Sequence, residues 1–121
     1  MRIAIIAHDG KKPEMVRFLM DNRGILSGRN VELVATGTTG QYAIDAGLEV
    51  ERVASGPLGG DAQIAAQVTE DRVDMVFFFR DPLGKHPHEP DIIMLMRICD
   101  VKNIPLATNP ATAERLLKSL M

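Results

Sequence analysis

Short apolar runs alternate with amphipathic segments along the chain. The runs are rich in Ile, Val, Leu and Phe, and they are bounded by Gly, Pro, Asp or Asn. Such runs are typical of buried strands, whereas apolar residues repeated every three or four positions are typical of helices that pack on a sheet. The predicted strands cover residues 2–7, 31–35, 50–54, 74–79 and 104–107.

A helical segment follows each predicted strand. These segments cover residues 13–22, 36–47, 61–70, 91–102 and 110–120. Pro13 suits the first position of its helix, because the N–H group that proline lacks would have no helical partner there. Asn109 is a favourable N-cap for the last helix.

The order of these elements predicts a fold. Helices between consecutive strands imply right-handed crossovers and a parallel sheet. The uninterrupted apolar run at 75–79 is typical of a strand covered on both faces. We therefore predict a single domain over residues 1–121 with a three-layer, doubly wound, Rossmann-like α/β fold. Its five parallel strands are expected in the order 3-2-1-4-5, with the switch point between strands 1 and 4.

Composition narrows the possible functions. The 121 residues are 45% hydrophobic and 25% charged, with a net charge of −2, which is unfavourable for binding polyanions. One tyrosine, four phenylalanines and no tryptophan leave few rings for stacking nucleic-acid bases. The first apolar run is too short for a signal peptide and no segment approaches a membrane span, so we expect a cytoplasmic protein. The lone Cys99 lies in a helical apolar pattern and is interpreted as a core residue.

Most polar and ionisable side chains that could bind a ligand or take part in catalysis lie in the loops that follow the predicted strands. In a doubly wound sheet, ligands bind at the carboxyl ends of the strands near the switch point. The sequence therefore predicts one site at this edge of the sheet. The residues concerned are His8, Asp9, Lys11 and Lys12; Thr36, Gly37, Thr38 and Thr39; the segment 55–61; Arg80, Asp81, His86, His88 and Asp91; and Thr108 and Asn109.

The segment Ser55-Gly56-Pro57-Leu58-Gly59-Gly60-Asp61 is the most informative of these. Glycine has no Cβ, so the main chain can approach a ligand closely here. Asp61 comes where the loop enters a helix, and an aspartate there can be an N-cap. It can equally be a base held against a substrate. The spacing alone leaves both roles open.

The turn Thr36-Gly37-Thr38-Thr39 opens a helix, so its hydroxyl and N–H groups could bind an anion. It could equally be a plain turn with Thr38 or Thr39 as the cap. Lys12 is either a phosphate ligand or a solvated surface lysine.

Pro87 and Pro90 stiffen the loop that carries His88, which indicates that this side chain is aimed at the site, whereas His86 is interpreted as surface. Aspartates and histidines at this edge could also hold a metal, but a tight ligand motif such as His-x-x-x-His is missing from the sequence. We therefore expect no metal and no other cofactor. The possible metal ligands are Asp9, Asp61, Asp81, Asp91, His8 and His88.

At these residues the chain resembles the methylglyoxal synthase family, in motifs that occur in the right order and spacing. The matching stretches are Ala7-His8-Asp9 with Lys12; Ala35-Thr36-Gly37-Thr38-Thr39-Gly40; the segment 55–61; Phe78-Phe79-Arg80-Asp81-Pro82-Leu83; Pro87-His88-Glu89-Pro90-Asp91; and Ile104-Pro105-Leu106-Ala107-Thr108-Asn109. Many family members also continue past the last helix with a tail that contacts phosphate, and the matching motifs do not include it.

The resemblance implies a carbon–oxygen lyase that converts dihydroxyacetone phosphate to methylglyoxal and inorganic phosphate. Asp61 matches the general base, and His88 and His8 match residues that contact the substrate. Asp9 and Asp81 match acids that orient His88 and tune Asp61. The matching phosphate cradle consists of Lys12, Thr36, Gly37, Thr38, Thr39, Ser55 and Gly56.

The resemblance also implies that phosphate, as product, inhibits the enzyme and that the chain forms a homohexamer. Met15 and Leu19 are interpreted as exposed apolar residues that support such an assembly. The alternative is a non-catalytic regulatory domain of the same fold, which needs an anion cradle but no base. Asp61 and His88 together favour the enzyme.

Overall fold

The sheet has five parallel strands in the order β3-β2-β1-β4-β5, which confirms the predicted topology. The computed structural model describes residues 1–120. The two central strands, β1 and β4, pair in parallel with Ile5 opposite Phe77. The strands are β1 (Arg2–Ala7), β2 (Glu32–Ala35), β3 (Glu51–Arg52), β4 (Met75–Phe79) and β5 (Leu106–Ala107).

Helices connect the strands as predicted, with boundaries that differ by a few residues. They are α1 (Lys12–Asp21), α2 (Arg23–Leu26), α3 (Gly37–Asp45), α4 (Gly60–Thr69), α5 (Glu89–Val101) and α6 (Pro110–Lys118). Helix α2 and two 3₁₀ turns at Asp9–Lys11 and Gly56–Leu58 were not predicted, because elements of one turn are too short to show a period. Asn109 caps α6 as predicted, since its Oδ1 accepts the N–H of Thr112 at 3.0 Å.

The core has two halves, one on each face of the sheet. Side chains that alternate along β4 point to opposite faces, so Phe77 and Phe79 pack with α1, α3 and α6, whereas Phe78 packs with α4 and α5. The run Met75–Phe79 is buried throughout, and so is Cys99, as the sequence predicts.

The interpretation of Met15 and Leu19 as exposed residues is wrong. Both lie on the inner face of α1 and are at most 1% exposed, because they pack on the sheet beside Phe18. The predicted strand at 50–54 is also shortened, since only Glu51–Arg52 pairs with β2.

Arg2 ties the amino-terminal ends of the strands together. Its guanidinium donates to Gln67 of α4, and it forms ion pairs with Glu32 of β2 and Glu51 of β3 at 3.3 and 2.5 Å. The opposite edge of the sheet carries the polar loops that the sequence singled out. No helix within residues 1–120 has the length and apolar character needed to cross a membrane.

Candidate active site

A cavity of about 330 Å³ opens at the carboxyl ends of the strands, at the predicted switch point. Most predicted site residues line this cavity, so the fold brings together loops that are distant in sequence. The lining residues among them are His8, Asp9, Lys12, Thr36, Thr38, Thr39, Ser55, Gly56, Asp61 and His88. Gly37 and Asp81 lie just outside the lining and act through their neighbours, as described below. Four other residues predicted for the same site line a second cavity instead, namely Lys11, Arg80, Thr108 and Asn109.

Asp61 lies in the first turn of α4 and is fully buried. The N-cap position belongs to Gly59, whose φ of 102° is one that glycine adopts without strain. Both carboxylate oxygens of Asp61 lack a hydrogen-bond partner within the described part of the chain. The capping role is therefore excluded, and the carboxylate is free to accept a proton.

The surroundings of Asp61 make it a stronger base. Burial raises the pKa of this carboxyl group, and the negative charge of Asp91 raises it further, while His88 and His86 act in the opposite direction. His88 lies beside the carboxylate, with Nε2 at 3.4 Å from Oδ2 but without a hydrogen bond between them. Gly56 lies against both groups, since a Cβ at this position would come within 3.0 Å of His88 Nε2 and 3.3 Å of Asp61 Oδ1. Glycine therefore leaves open the space next to the base and the imidazole.

His8 is held as one neutral tautomer. Its Nδ1 accepts the backbone N–H of Asp81 at 2.9 Å, so that nitrogen carries no proton. Burial is the main cause that lowers the pKa of His8 to about 4, helped by the neighbouring His86, His88 and Arg80. At neutral pH the single ring proton is thus on Nε2, a buried atom without a partner among residues 1–120. His8 presents a hydrogen-bond donor at the cavity.

Asp9 and Asp81 were expected to orient His88 and to tune Asp61, but the contacts of both residues are with other groups. The carboxylate of Asp9 is almost fully exposed and pairs with Lys12 at 2.7 Å, and this contact lowers the pKa of Asp9. The Lys12 ammonium also donates to the carbonyl of Ala7 at 3.1 Å, so it is fixed at the rim. Asp81 positions His8 through its main chain, while its side chain accepts the N–H of Leu83.

The turn before α3 supplies backbone donors. Thr36, not Thr38 or Thr39, occupies the N-cap position. Thr39 accepts the N–H of Ala7 through its hydroxyl at 3.2 Å, which fastens the turn to β1. The amides of Thr38 and Thr39 lie in the first turn, where the helix offers no carbonyl partner.

Gly37 brings two loops together. Its N–H donates to the carbonyl of Ala54 at 3.2 Å, and a Cβ at this position would lie 3.1 Å from the amide nitrogen of Ser55. This glycine therefore does not line the cavity but lets the turn before α3 and the loop of Ser55 approach each other.

The interpretation of His86 as a surface residue is wrong. Its ring lies face to face with that of His8, with centroids 3.6 Å apart, and it lines the cavity together with Lys85, Pro57 and Pro87. No pattern in the sequence marks this placement, since residues 87 and 88 form a turn in which the carbonyl of His86 accepts the N–H of Glu89.

Among residues 1–120, no three or more His, Cys, Asp or Glu side chains come together in a group that could hold a metal ion. The cationic and donor groups at the cavity belong instead to Lys12, the imidazoles and the amino end of α3. This donor set suits an oxygen-rich anion such as a phosphate ester.

Comparison with known proteins agrees with this geometry. A sequence profile described as the MGS-like domain matches residues 16–108. The chain is 57% identical to methylglyoxal synthase of Lysinibacillus sphaericus over 99% of its own length and 89% of the relative's, and 54% identical to that of Bacillus subtilis over 99% and 87%. The crystal structure of methylglyoxal synthase from Elizabethkingia anophelis superposes with a TM-score of 0.88 at 44% identity, covering 96% of this chain and 76% of that one.

The chain belongs to the methylglyoxal synthase family. The resemblance inferred from the motifs is therefore confirmed. Four of the six matching stretches contribute residues to the cavity lining, which links membership of the methylglyoxal synthase family to this site. Nothing in the comparisons favours the regulatory alternative, because full-length relatives are themselves named methylglyoxal synthase.

Proposed function

We propose that this protein converts dihydroxyacetone phosphate to methylglyoxal and inorganic phosphate. The observation that carries the proposal is the buried Asp61 carboxylate, whose oxygens are unbonded within the described residues and whose pKa is raised. A base of this kind, in a cavity that also holds hydrogen-bond donors, suits removal of a proton next to a carbonyl group.

The first step is proton abstraction by Asp61. Asp61 removes a proton from the hydroxymethyl carbon beside the carbonyl, and the electrons of the broken C–H bond form an enediolate. The Nε2–H of His8 and the imidazole of His88 line the same cavity and donate to the enediolate oxygens. A donor aimed at developing negative charge contributes about 3–4 kcal/mol in comparable sites.

The second step is β-elimination. The enediolate electrons form a C=C bond to the carbon that bears the phosphate ester, while the C–O bond to phosphate breaks. The resulting enol takes up a proton and becomes methylglyoxal. Lys12 and the amides of Thr38 and Thr39, at the positive end of α3, neutralise the leaving phosphate. Elimination requires the breaking C–O bond to lie out of the enediolate plane, and in this proposal the cradle holds the phosphate in that orientation.

Inorganic phosphate fits the same cradle, so in this proposal it competes with the substrate as product and inhibitor. The reaction uses no metal ion, since coordination by Asp61 would lower the basicity that the first step requires. The proposal also includes a cytoplasmic location and a homohexameric assembly.

The decisive experiment compares the wild-type protein with Asp61→Asn. Release of methylglyoxal and phosphate from dihydroxyacetone phosphate should be rapid for the wild type and at least ~10³-fold slower for the variant. Asparagine keeps the size of the side chain and removes an unbonded buried charge, so the thermal midpoint at pH 7 should stay the same or rise. Asp100→Asn, at an exposed position outside the cavity lining, is the matched control and should keep full turnover.

Two results would contradict the proposal. Near-normal turnover of Asp61→Asn would show that Asp61 is not the base. A wild-type protein that binds phosphate but releases no methylglyoxal would support the regulatory, non-catalytic alternative.

A further inference from the structure

The ring of His8 is held between two other rings. His86 covers one face of it at a centroid distance of 3.6 Å and an interplanar angle of 23°, which is a stacked geometry. Phe78 of β4 meets it in an edge contact, at 5.1 Å and 77°. His8 itself is only 6% exposed, so the covering rings also exclude water from it.

His86 is fixed in its own loop. Its carbonyl accepts the N–H of Glu89 at the start of α5, and Pro87 restricts the backbone that follows. On the other side, a Cβ at residue 84 would lie 3.1 Å from His86 Nε2 and 2.9 Å from the carboxylate of Asp81. Glycine at this position therefore leaves the room that the ring occupies against the turn of Asp81.

The same loop makes two contacts with His8. The amide of Asp81 donates to Nδ1 and sets the tautomer, but one hydrogen bond leaves the ring free to tilt about its axis. The stacked ring of His86 restricts that tilt by covering the face of His8. Together the two contacts determine where the Nε2–H of His8 points.

We propose that His86 is a positioning residue that, by stacking on His8, holds the Nε2–H of His8 in the direction of the substrate. Its effect on the rate rests on the proposed function, whereas the stacking and the tautomer of His8 do not depend on it. In this proposal His86 acts by stacking, for which only the flat ring is needed. The alternative is that His86 donates a hydrogen bond directly to the substrate. That role would use its Nε2, which is buried and unpartnered within residues 1–120.

Two substitutions separate these roles. His86→Phe keeps a flat ring and removes both nitrogens, whereas His86→Gln keeps a polar donor and removes the ring. If stacking matters, the phenylalanine variant should retain kcat/KM within about twofold, and the glutamine variant should lose roughly 2- to 10-fold, the range measured for aromatic pairs. His86→Asn replaces the glutamine variant if the latter does not fold.

The state of His8 is read directly by ¹⁵N NMR of histidine-labelled protein at neutral pH. In the wild type and in His86→Phe, His8 should show one protonated and one bare ring nitrogen. In His86→Gln the two signals should move towards each other, because a ring that tilts away from the Asp81 amide loses the hydrogen bond that sets its tautomer and then samples both forms. This readout needs no turnover, so it decides the stacking role even if the wild type proves inactive on dihydroxyacetone phosphate.

The other outcomes would overturn the proposal. A glutamine variant with normal rate and normal His8 signals would show that His86 does not position His8. Loss of rate in His86→Phe with His8 unchanged would assign a direct donor role to the His86 nitrogens. Loss of the His8 signals in both variants would show that a flat ring does not suffice.

Discussion

Two ionisable residues of the site, Asp61 and His8, are buried, and burial destabilises their charged forms. Asp61 is a fully buried carboxylate without hydrogen bonds inside the described chain, and its raised pKa reflects the unfavourable burial of its charge. His8 is a buried imidazole whose pKa falls to about 4 for the same main reason. Removal from water therefore strengthens Asp61 as a base and keeps His8 neutral.

The lowered pKa of His8 predicts a pH dependence of stability. The unfolded chain protonates His8 below about pH 6.5, whereas the folded chain does so only near pH 4. Between these values the unfolded state binds more protons, so the free energy of unfolding falls as the pH falls, by at most about 3 kcal/mol from this group. Above pH 6.5 the contribution is fully present.

Urea denaturation at pH 7.5 and at pH 4.5 measures this loss, and His8→Gln provides the comparison. The difference in unfolding free energy between the two pH values should be smaller for the variant, because its side chain does not titrate. Equal losses in both proteins would mean that His8 is accessible to protons in the folded state.

Most residues of the site could be predicted from the sequence because they lie in the loops that follow the strands. The contacts among these residues could not be predicted. Asp9 was expected to orient His88, and in the structure it pairs with Lys12 three residues away. His86 was interpreted as surface, and only the folded loop shows that its ring covers that of His8.

At the scale of elements, the site depends on a loop between β3 and α4 whose two ends touch at a glycine. The loop of Ser55 enters α4 at Gly60, where a Cβ would lie 1.9 Å from the carbonyl oxygen of Ala54. This contact is with backbone and cannot be relieved by moving a flexible side chain. It sets the start of α4 and therefore the position of Asp61, the next residue.

Gly60→Ala should accordingly destabilise the protein by roughly 1–3 kcal/mol, as overpacking in a closed site does, and lower turnover by displacing Asp61. Gly24→Ala is the matched control, because nothing lies within 4 Å of a Cβ at that position in α2. The control should be neutral or slightly stabilising. Thermal unfolding and the lyase assay check both variants, and a stable, active Gly60→Ala would show that the loop can shift without consequence.

The order of the strands and the main helices could be predicted because apolar runs and helical periods are long enough to recognise. One-turn elements could not, since they have no period, and the extent of β3 could not because pairing at a sheet edge depends on tertiary contacts. The error at Met15 and Leu19 has a similar cause, since a short amphipathic helix shows two apolar flanks and the pattern does not tell which one faces the sheet.

At the scale of the whole molecule, several large apolar side chains remain on the surface of the described chain. Three of them are more than 60% exposed, namely Leu58, Leu83 and Val101. Leu58 and Leu83 lie in loops next to the cavity, and Val101 ends α5. Single exposed apolar residues also occur on monomers, but these three are candidates for the subunit contacts of the homohexamer proposed above.

We therefore predict a homohexamer in solution. Sedimentation equilibrium at micromolar concentration should give about six times the 13.3 kDa mass of the chain. Replacing Leu83 and Val101 by aspartate should reduce that mass, because it places charges in a surface that must lose water on assembly. A wild-type protein that sediments as a monomer would refute the assembly without affecting the proposed chemistry.

The short edge strand β3 has a consequence for how the protein loses activity. It contributes only Glu51–Arg52 to the ladder, and the Arg2–Glu51 ion pair at its start is accessible to salt because Glu51 is half exposed. Edge segments with few bonds open locally at a lower free energy than the centre of a sheet. The loop that carries Gly56 and Asp61 follows this strand. Heat or high salt can therefore release β3 and displace this loop from the cavity while β1 and β4 remain paired. Inactivation then precedes unfolding, and the temperature at which half the activity is lost lies below the melting temperature.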